Sequence, residues 1–197
     1  MSTYSNPFAG WSNSRGNSAP SIYGALPYVQ GAPPTISPAG GGTVHFAFTN
    51  FSPSILNCSF VNHTSRTVYS VRTDTSPIFT VIKDNEGRSM ALIEWHSHPY
   101  VELPGVVPKQ EARRWLALSA DAKFRTMTVG AARYVWAPNG EYICLYSTAS
   151  STPQILARIK KIQNVVTLEL SQTAIDSRLL GPCVLAAVLL QSGRNID

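Results

Sequence analysis

The chain has 197 residues, of which 44% are hydrophobic and 14% are charged. This composition can bury a core, and the length fits one domain, or one domain with a tail. The net charge of +5 is too small to indicate a nucleic-acid partner, although it permits an anionic partner such as a phospholipid headgroup.

The cysteines and the first residues of the chain indicate its compartment. Cys58, Cys144 and Cys183 are an odd number and have no CxxC spacing, which argues against a disulfide framework and favours a reducing compartment. The first residues contain no basic region followed by an apolar run, so they predict no secretory signal. We therefore expect a monomeric cytoplasmic protein, either free or peripheral to a membrane.

Residues 1–43 differ in composition and in hydrophobic pattern from the rest of the chain. They are rich in Ser, Pro and Gly, include Pro33-Pro34 and Gly40-Gly41-Gly42, and show neither helical nor strand periodicity. Such a segment cannot bury enough apolar surface to fold, so we predict a disordered tail. Its interleaved aromatic residues could support weak association, but a plain spacer is the simpler interpretation. Residues 44–197 are then the folded domain.

From residue 44 onward, short β-rich runs alternate with turns. A hairpin-type turn at residues 84–87 separates two of them, and Pro138-Asn139-Gly140 separates two others. Short strands joined by short turns predict an antiparallel meander. Residues 99–121 do not follow this alternation of strands and turns. They predict a loop with a short helix near residues 111–116. The predicted strands are residues 44–49, 56–61, 67–73, 78–83, 90–96, 124–129, 132–136, 142–147, 155–159 and 165–170.

An apolar segment follows the last predicted strand. Residues 179–190 carry no charge, and twelve residues are too few for a helix to cross a bilayer. A helix that is apolar on every side must be buried in protein. Pro182 lies either in its first turn or at a kink. A closed antiparallel β-barrel threaded by this helix would satisfy both the strand edges and the helix faces, so we predict that fold.

Five short motifs follow one another along the chain. They are Phe46-Ala47-Phe48-Thr49 with Ser52-Pro53, the run Val68-Tyr69-Ser70-Val71-Arg72-Thr73, Ile93-Glu94-Trp95, Tyr134-Val135-Trp136, and Leu168-Glu169-Leu170. In this order they resemble the landmarks of a fungal family of unknown function with a tubby C-terminal-like fold. The resemblance covers residues 44–192 and leaves out the tail. Gly181-Pro182 departs from the continuous, β-branched terminal helix of that family, which leaves the start of the helix open.

This resemblance implies a barrel of about a dozen strands around a central hydrophobic helix, as in tubby-like proteins and phospholipid scramblases. It also implies a possible ligand, because tubby-like domains bind phosphoinositides. Fold does not determine function, so the ligand needs support from residues of this chain.

His96-Ser97-His98-Pro99 is the most tempting catalytic motif. It resembles the core of the metalloproteases that remove ubiquitin, which need an Asp about eleven residues and a Ser about eight residues beyond the second His. Those positions hold Lys109 and Val106 here. A catalytic zinc needs three protein ligands, and alternate residues of a strand point to opposite faces. A zinc hydrolase using His96 and His98 is therefore only a remote alternative to a histidine pair at a strand end.

Other enzyme signatures are missing from the sequence. It contains neither a Gly-x-Ser-x-Gly elbow nor a Gly-rich phosphate loop that follows a strand. We therefore expect a non-catalytic binding module without a cofactor.

Five cations are the candidate binding residues. Lys83 and Arg88 flank the predicted hairpin, whereas Arg158, Lys160 and Lys161 end a later strand. Ammonium and guanidinium groups on neighbouring strands can chelate one phosphate together. We predict weak binding of an anionic phospholipid or phosphoinositide headgroup at a membrane surface, with a protein partner as the alternative.

Overall fold

A computed structural model describes residues 42–76, 78–149 and 153–197. The predicted disordered tail, residues 1–43, lies outside these ranges except for its last two residues. The first strand begins at Thr43, one residue before the predicted start of the folded domain.

Within the described ranges the chain forms thirteen strands and three short helices. The strands are β1 (Thr43–Thr49), β2 (Cys58–Asn62), β3 (Thr67–Thr73), β4 (Phe79–Asp84), β5 (Ser89–Glu94), β6 (Tyr100–Leu103), β7 (Val107–Glu111), β8 (Leu116–Leu118), β9 (Arg125–Val129), β10 (Ala132–Asn139), β11 (Tyr142–Ser147), β12 (Ile155–Ile162) and β13 (Val165–Ser171). The helices are α1 (Ala112–Trp115), α2 (Gln172–Asp176) and α3 (Leu180–Gln191).

The β4–β5 hairpin shows how local sequence sets these boundaries. Asp84 accepts hydrogen bonds at Oδ1 from the backbone N–H groups of Glu86 and Arg88, both at 2.9 Å. Gly87 adopts a φ of +81°, which a residue with a side chain rarely does. The Asp and Gly of this turn therefore reverse the chain at the predicted place.

All thirteen strands form one sheet in the order β7-β6-β5-β4-β3-β2-β1-β13-β12-β11-β10-β9-β8. Every neighbouring pair is antiparallel, and the first and last strands pair in the middle of the sheet, from Thr43 opposite Ser171 to Phe48 opposite Val166. The prediction of a mainly β, antiparallel fold is therefore confirmed.

The predicted closure of this sheet into a hydrogen-bonded barrel is wrong. Among the described residues β7 and β8 remain the two edges of the sheet, with no ladder between them. The cause is α1, which coils between these two strands because that conformation buries Ala112 and Trp115. The indole of Trp115 also donates to the Thr128 carbonyl at 3.0 Å. In addition, β8 has only three residues, and Pro108 in β7 lacks a backbone donor.

The apolar helix is buried, as predicted. Residues 182–190 of α3 are all buried, so every face of the helix contacts protein. The helix begins at Leu180, which places Pro182 in its first turn rather than at a kink. The inner face of the sheet supplies the rest of the same core, including Phe48, Phe60 and Trp136.

The three cysteines are residues of the buried interior. Cys58, Cys144 and Cys183 are free thiols, each at most 1% exposed. Burial raises the pKa of Cys58 and of Cys144 to about 12, and it also raises the pKa of Cys183. Since the thiolate is the reactive form, these groups are inert at neutral pH.

Truncation inside the helix tests whether α3 anchors the core. We expect Leu185→Ala to lower the free energy of unfolding by about 2–5 kcal/mol, because it opens a cavity at a fully buried position. The exposed control Ile162→Ala should change it by less than about 0.5 kcal/mol. Chemical denaturation measures both, and equal losses would contradict the central role of α3.

Thiol labelling tests the burial of the cysteines. We expect a disulfide reagent such as Ellman's to label none of the three in the native protein at neutral pH, and all three after denaturation, because burial keeps each thiol protonated. A thiol that reacts equally fast in both states would show that its surroundings are open to solvent.

Candidate functional site

The strand ends of the antiparallel sheet form two rims. The candidate residues fall into two groups, one at each rim. The histidine rim carries residues 95–99, the start of β4 and the β12–β13 turn. The hairpin rim carries the β4–β5 turn, the β6–β7 turn and the β9–β10 turn. The helix α3 starts near the hairpin rim, where Gly181 lies beside Met90 and Leu103.

Two of the predicted cations lie at the hairpin rim. Lys83 is exposed near the end of β4. Arg88 lies in the adjoining turn, where its Nε donates to Asp84 at 2.7 Å and its Nη1 is 2.9 Å from Glu86. The hydrogen bond from Arg88 holds the pKa of the Asp84 carboxyl below its usual value. The Arg88 guanidinium is therefore already engaged by two carboxylates of its own turn.

The other three cations lie on β12. Arg158 donates from Nε to Glu169 at 2.5 Å, and Lys160 donates to Glu141 at 2.7 Å. Both cations also lie over the Tyr142 ring, 4.7 Å and 5.3 Å from its centroid. The bond to Glu141 raises the pKa of Lys160.

The five cations do not meet at one site. The strands β4 and β12 are separated by β3, β2, β1 and β13, which at roughly 4.8 Å per step places them about 24 Å apart along the sheet. Arg158 and Lys160 share one surface of β12, and exposed Lys161 follows them towards the histidine rim. Lys83 and Arg88 lie at the opposite rim, so no single phosphate could contact both groups. A ligand-binding role for any of the five stays a prediction.

The two histidines of the tempting motif have different neighbours. His96 lies 3.5 Å from the carboxylate of Glu94, which also accepts a hydrogen bond from Lys109 at 2.6 Å. That bond is the main reason why the pKa of Glu94 is lowered. His98 instead contacts the backbone carbonyl of Asp197 through Nδ1, at 3.1 Å. Lys109 occupies the position where a zinc site would need its Asp. It forms an ion pair with Glu94 instead.

The described ranges contain no group of three or more His, Cys, Asp or Glu side chains placed to hold a metal ion. A shallow cavity of about 330 Å³ opens at the hairpin rim, lined by residues 131–134 and 147–149. Its seven lining residues include no His, Cys, Asp or Glu that could act as a general base.

Sequence reasoning missed a set of exposed apolar side chains. Ile78, Phe79 and Ile162 are 43%, 37% and 52% exposed, and all three lie at the histidine rim. Val106, 40% exposed, lies at the hairpin rim. Ile78 and Phe79 begin a predicted strand, and that position was the signal that could have identified these two. Ile162 and Val106 lie outside the predicted strands. None of the helices in the described part of the chain has the length and apolarity needed to span a bilayer.

Sequence reasoning also missed Arg125, the largest charged side chain in the core. It is fully buried and binds the carboxylate of Asp197 with two hydrogen bonds, of 2.9 and 2.6 Å. The alternation of the predicted strand at residues 124–129 was the available signal, because it places Arg125 on the same face as the buried Met127.

Comparison with known proteins finds a family model and a solved structure that are similar to this chain. No curated protein matches the chain. The X-ray structure of a protein from Arabidopsis thaliana is similar, with 12% sequence identity and a TM-score of 0.37, over 77% of this chain and 96% of that one.

The family match covers most of the folded domain. The family of unknown function DUF6593 matches residues 53–195, which span β2 to β13 and all three helices. The prediction of membership in a family of unknown function is thereby confirmed, while a fungal origin and a tubby-like fold stay predictions. The chain belongs to the family of unknown function DUF6593.

Proposed function

We propose that this chain is a non-catalytic domain that binds an anionic phospholipid surface weakly through its histidine rim. One observation carries the proposal: of the four large hydrophobic side chains exposed in the described ranges, three share a rim with Lys160 and Lys161. Apolar side chains beside cations suit the boundary between lipid headgroups and acyl chains.

The end of β12 offers the most compact version of this surface. Lys160 and Lys161 directly precede Ile162, whose side chain is the most exposed of the four. Each cation near an anionic bilayer contributes about 1 kcal/mol of attraction. The ion pair with Glu141 reduces the attraction that Lys160 contributes. We therefore expect weak, salt-sensitive binding rather than high-affinity binding in a headgroup pocket.

The proposal also includes the tubby-like architecture, the fungal origin and the cytoplasmic location that the sequence predicts. Thirteen antiparallel strands around an apolar helix support a tubby C-terminal-like architecture, with an open seam where a closed barrel would have a ladder. A cytoplasmic monomer of fungal origin, reversibly attached to a membrane, fits this picture. A protein partner remains the alternative if no lipid surface is bound.

Vesicle flotation with the full chain tests the proposal. We expect flotation with vesicles of phosphatidylcholine containing phosphatidylserine or a phosphoinositide, and little with phosphatidylcholine alone. Lys160→Ala with Lys161→Ala should weaken binding by about tenfold, because two cations leave the rim. The matched control is Lys83→Ala with Arg88→Ala, which removes the same charge from the hairpin rim and should leave binding unchanged.

An equal loss in both pairs of variants would show a diffuse charge effect and contradict docking through the histidine rim. Absence of flotation with every anionic composition would reject the lipid proposal and favour a protein partner.

Removal of an apolar side chain tests insertion separately from charge. We expect Ile162→Ser to weaken flotation by about tenfold, because the isoleucine no longer transfers from water to the lipid boundary. Val106→Ser is the control, since it removes an exposed apolar side chain from the other rim. If Ile162→Ser binds like the unaltered protein, the surface contact is electrostatic only and the insertion step is wrong.

A further inference from the structure

The seam between β7 and β8 is bridged by residues that follow α3. The helix ends at Gln191, and residues 192–197 continue along the histidine rim. Ile196 in this segment is fully buried although no helix or strand contains it. The burial shows that the segment packs into the fold.

One side of the bridge is an ion pair between the fully buried Arg125 and Asp197, whose side chain is 26% exposed. The Arg125 guanidinium donates from Nη1 to Asp197 Oδ1 at 2.9 Å and from Nη2 to Oδ2 at 2.6 Å. The same Nη1 donates to the Leu116 carbonyl at 2.9 Å. Asp197 is therefore tied to β9 and, through Arg125, to the edge strand β8.

The other side of the bridge reaches the opposite half of the sheet. The carbonyl oxygen of Asp197 lies 3.1 Å from Nδ1 of His98, in the β5–β6 connection. The Arg194 guanidinium lies 4.6 Å from the centroid of the Trp95 ring, and the Trp95 indole donates to Thr80 at 2.7 Å. Through these contacts residues 194–197 are tied to β4 and to the end of β5.

We propose that residues 193–197 form a latch, which holds the β4–β6 side of the sheet and the β8–β9 side together across the seam. Release of the latch is then the first opening motion of the domain, and it widens the seam between β7 and β8 while the rest of the sheet stays paired. This inference does not depend on membrane binding.

The burial of Arg125 gives the latch two distinct states. When Asp197 leaves, the buried guanidinium loses the carboxylate that binds it, and removal of one partner from a buried ion pair is strongly unfavourable. Arg125 then moves towards solvent, which breaks its hydrogen bond to the Leu116 carbonyl and leaves β8 with its three-residue ladder to β9. Intermediate positions keep the guanidinium buried and away from Asp197, so opening is cooperative.

Hydrogen–deuterium exchange of the full chain, resolved by peptide, tests the latch. We expect Asp197→Asn to speed exchange in β8, β9 and residues 95–99 by roughly 10- to 100-fold, because a bond between charged groups is lost. Exchange in β1, β2 and β13 should stay within about twofold of the unaltered protein. Asp176→Asn is the control, since Asp176 is an exposed acid on α2 that accepts a hydrogen bond from Gln172, and it should leave the seam unchanged.

Two further variants separate the latch from a general loss of folding. Arg194→Ala keeps the ion pair and removes the contact with Trp95, so exchange should rise about 2- to 5-fold at the seam alone. Arg125→Met combined with Asp197→Asn removes both charges, so it avoids an unpaired buried cation. The seam of this double variant should still exchange faster than that of the unaltered protein.

Three results would overturn the latch. They are unchanged seam exchange in Asp197→Asn, equal acceleration in all strands of Arg194→Ala, and unaltered seam exchange in the double variant.

Discussion

Burial of α3 on every side is the constraint on which the rest of the structure depends. A helix with one apolar stripe is satisfied by one face of a flat sheet, but residues 182–190 leave no polar face for solvent. The sheet must therefore surround the helix, and each strand must turn apolar side chains inward. Phe48 and Phe60 do so from the first two strands, and Trp136 does so from β10. The opposite face of β10, β11 and β12 carries a second, smaller buried cluster, formed by Val135, Ala137, Cys144, Tyr146 and Ile155.

A sheet that surrounds a helix must bring its two edges together, and here side chains rather than backbone ladders join them. Trp115 of α1 is tied to β9, while Asp197 connects Arg125 with His98. The contacts of Asp197 lie at the histidine rim, which also carries three of the four large hydrophobic side chains exposed in the described ranges. The same short loop that resembled half of a metal site is one anchor of that seam.

Sequence patterns predicted the elements whose signal is local. Turn residues predict the hairpin at Asp84, and alternating apolar and polar residues predict most strands. A run of residues without charge predicts the apolar helix. The strands β6, β7 and β8 were missed, because Pro104, Gly105 and Pro108 indicate a loop and three-residue strands have no period. The distribution of the cations was not predictable, because it depends on β1 pairing with β13. Nor does any local pattern join Arg125 to Asp197, 72 residues away.

The pairing of β1 with β13 has a consequence for how the domain is made. The strands β1 to β7 are synthesised first and pair among themselves, yet the helix that fills their inner face comes after residue 179. Until then their apolar faces lack a core, and the central ladder between residues 43 and 171 closes a very long loop. The fold of this domain is therefore completed only once β13 and α3 have been synthesised, and until then the inner face of the first seven strands stays exposed.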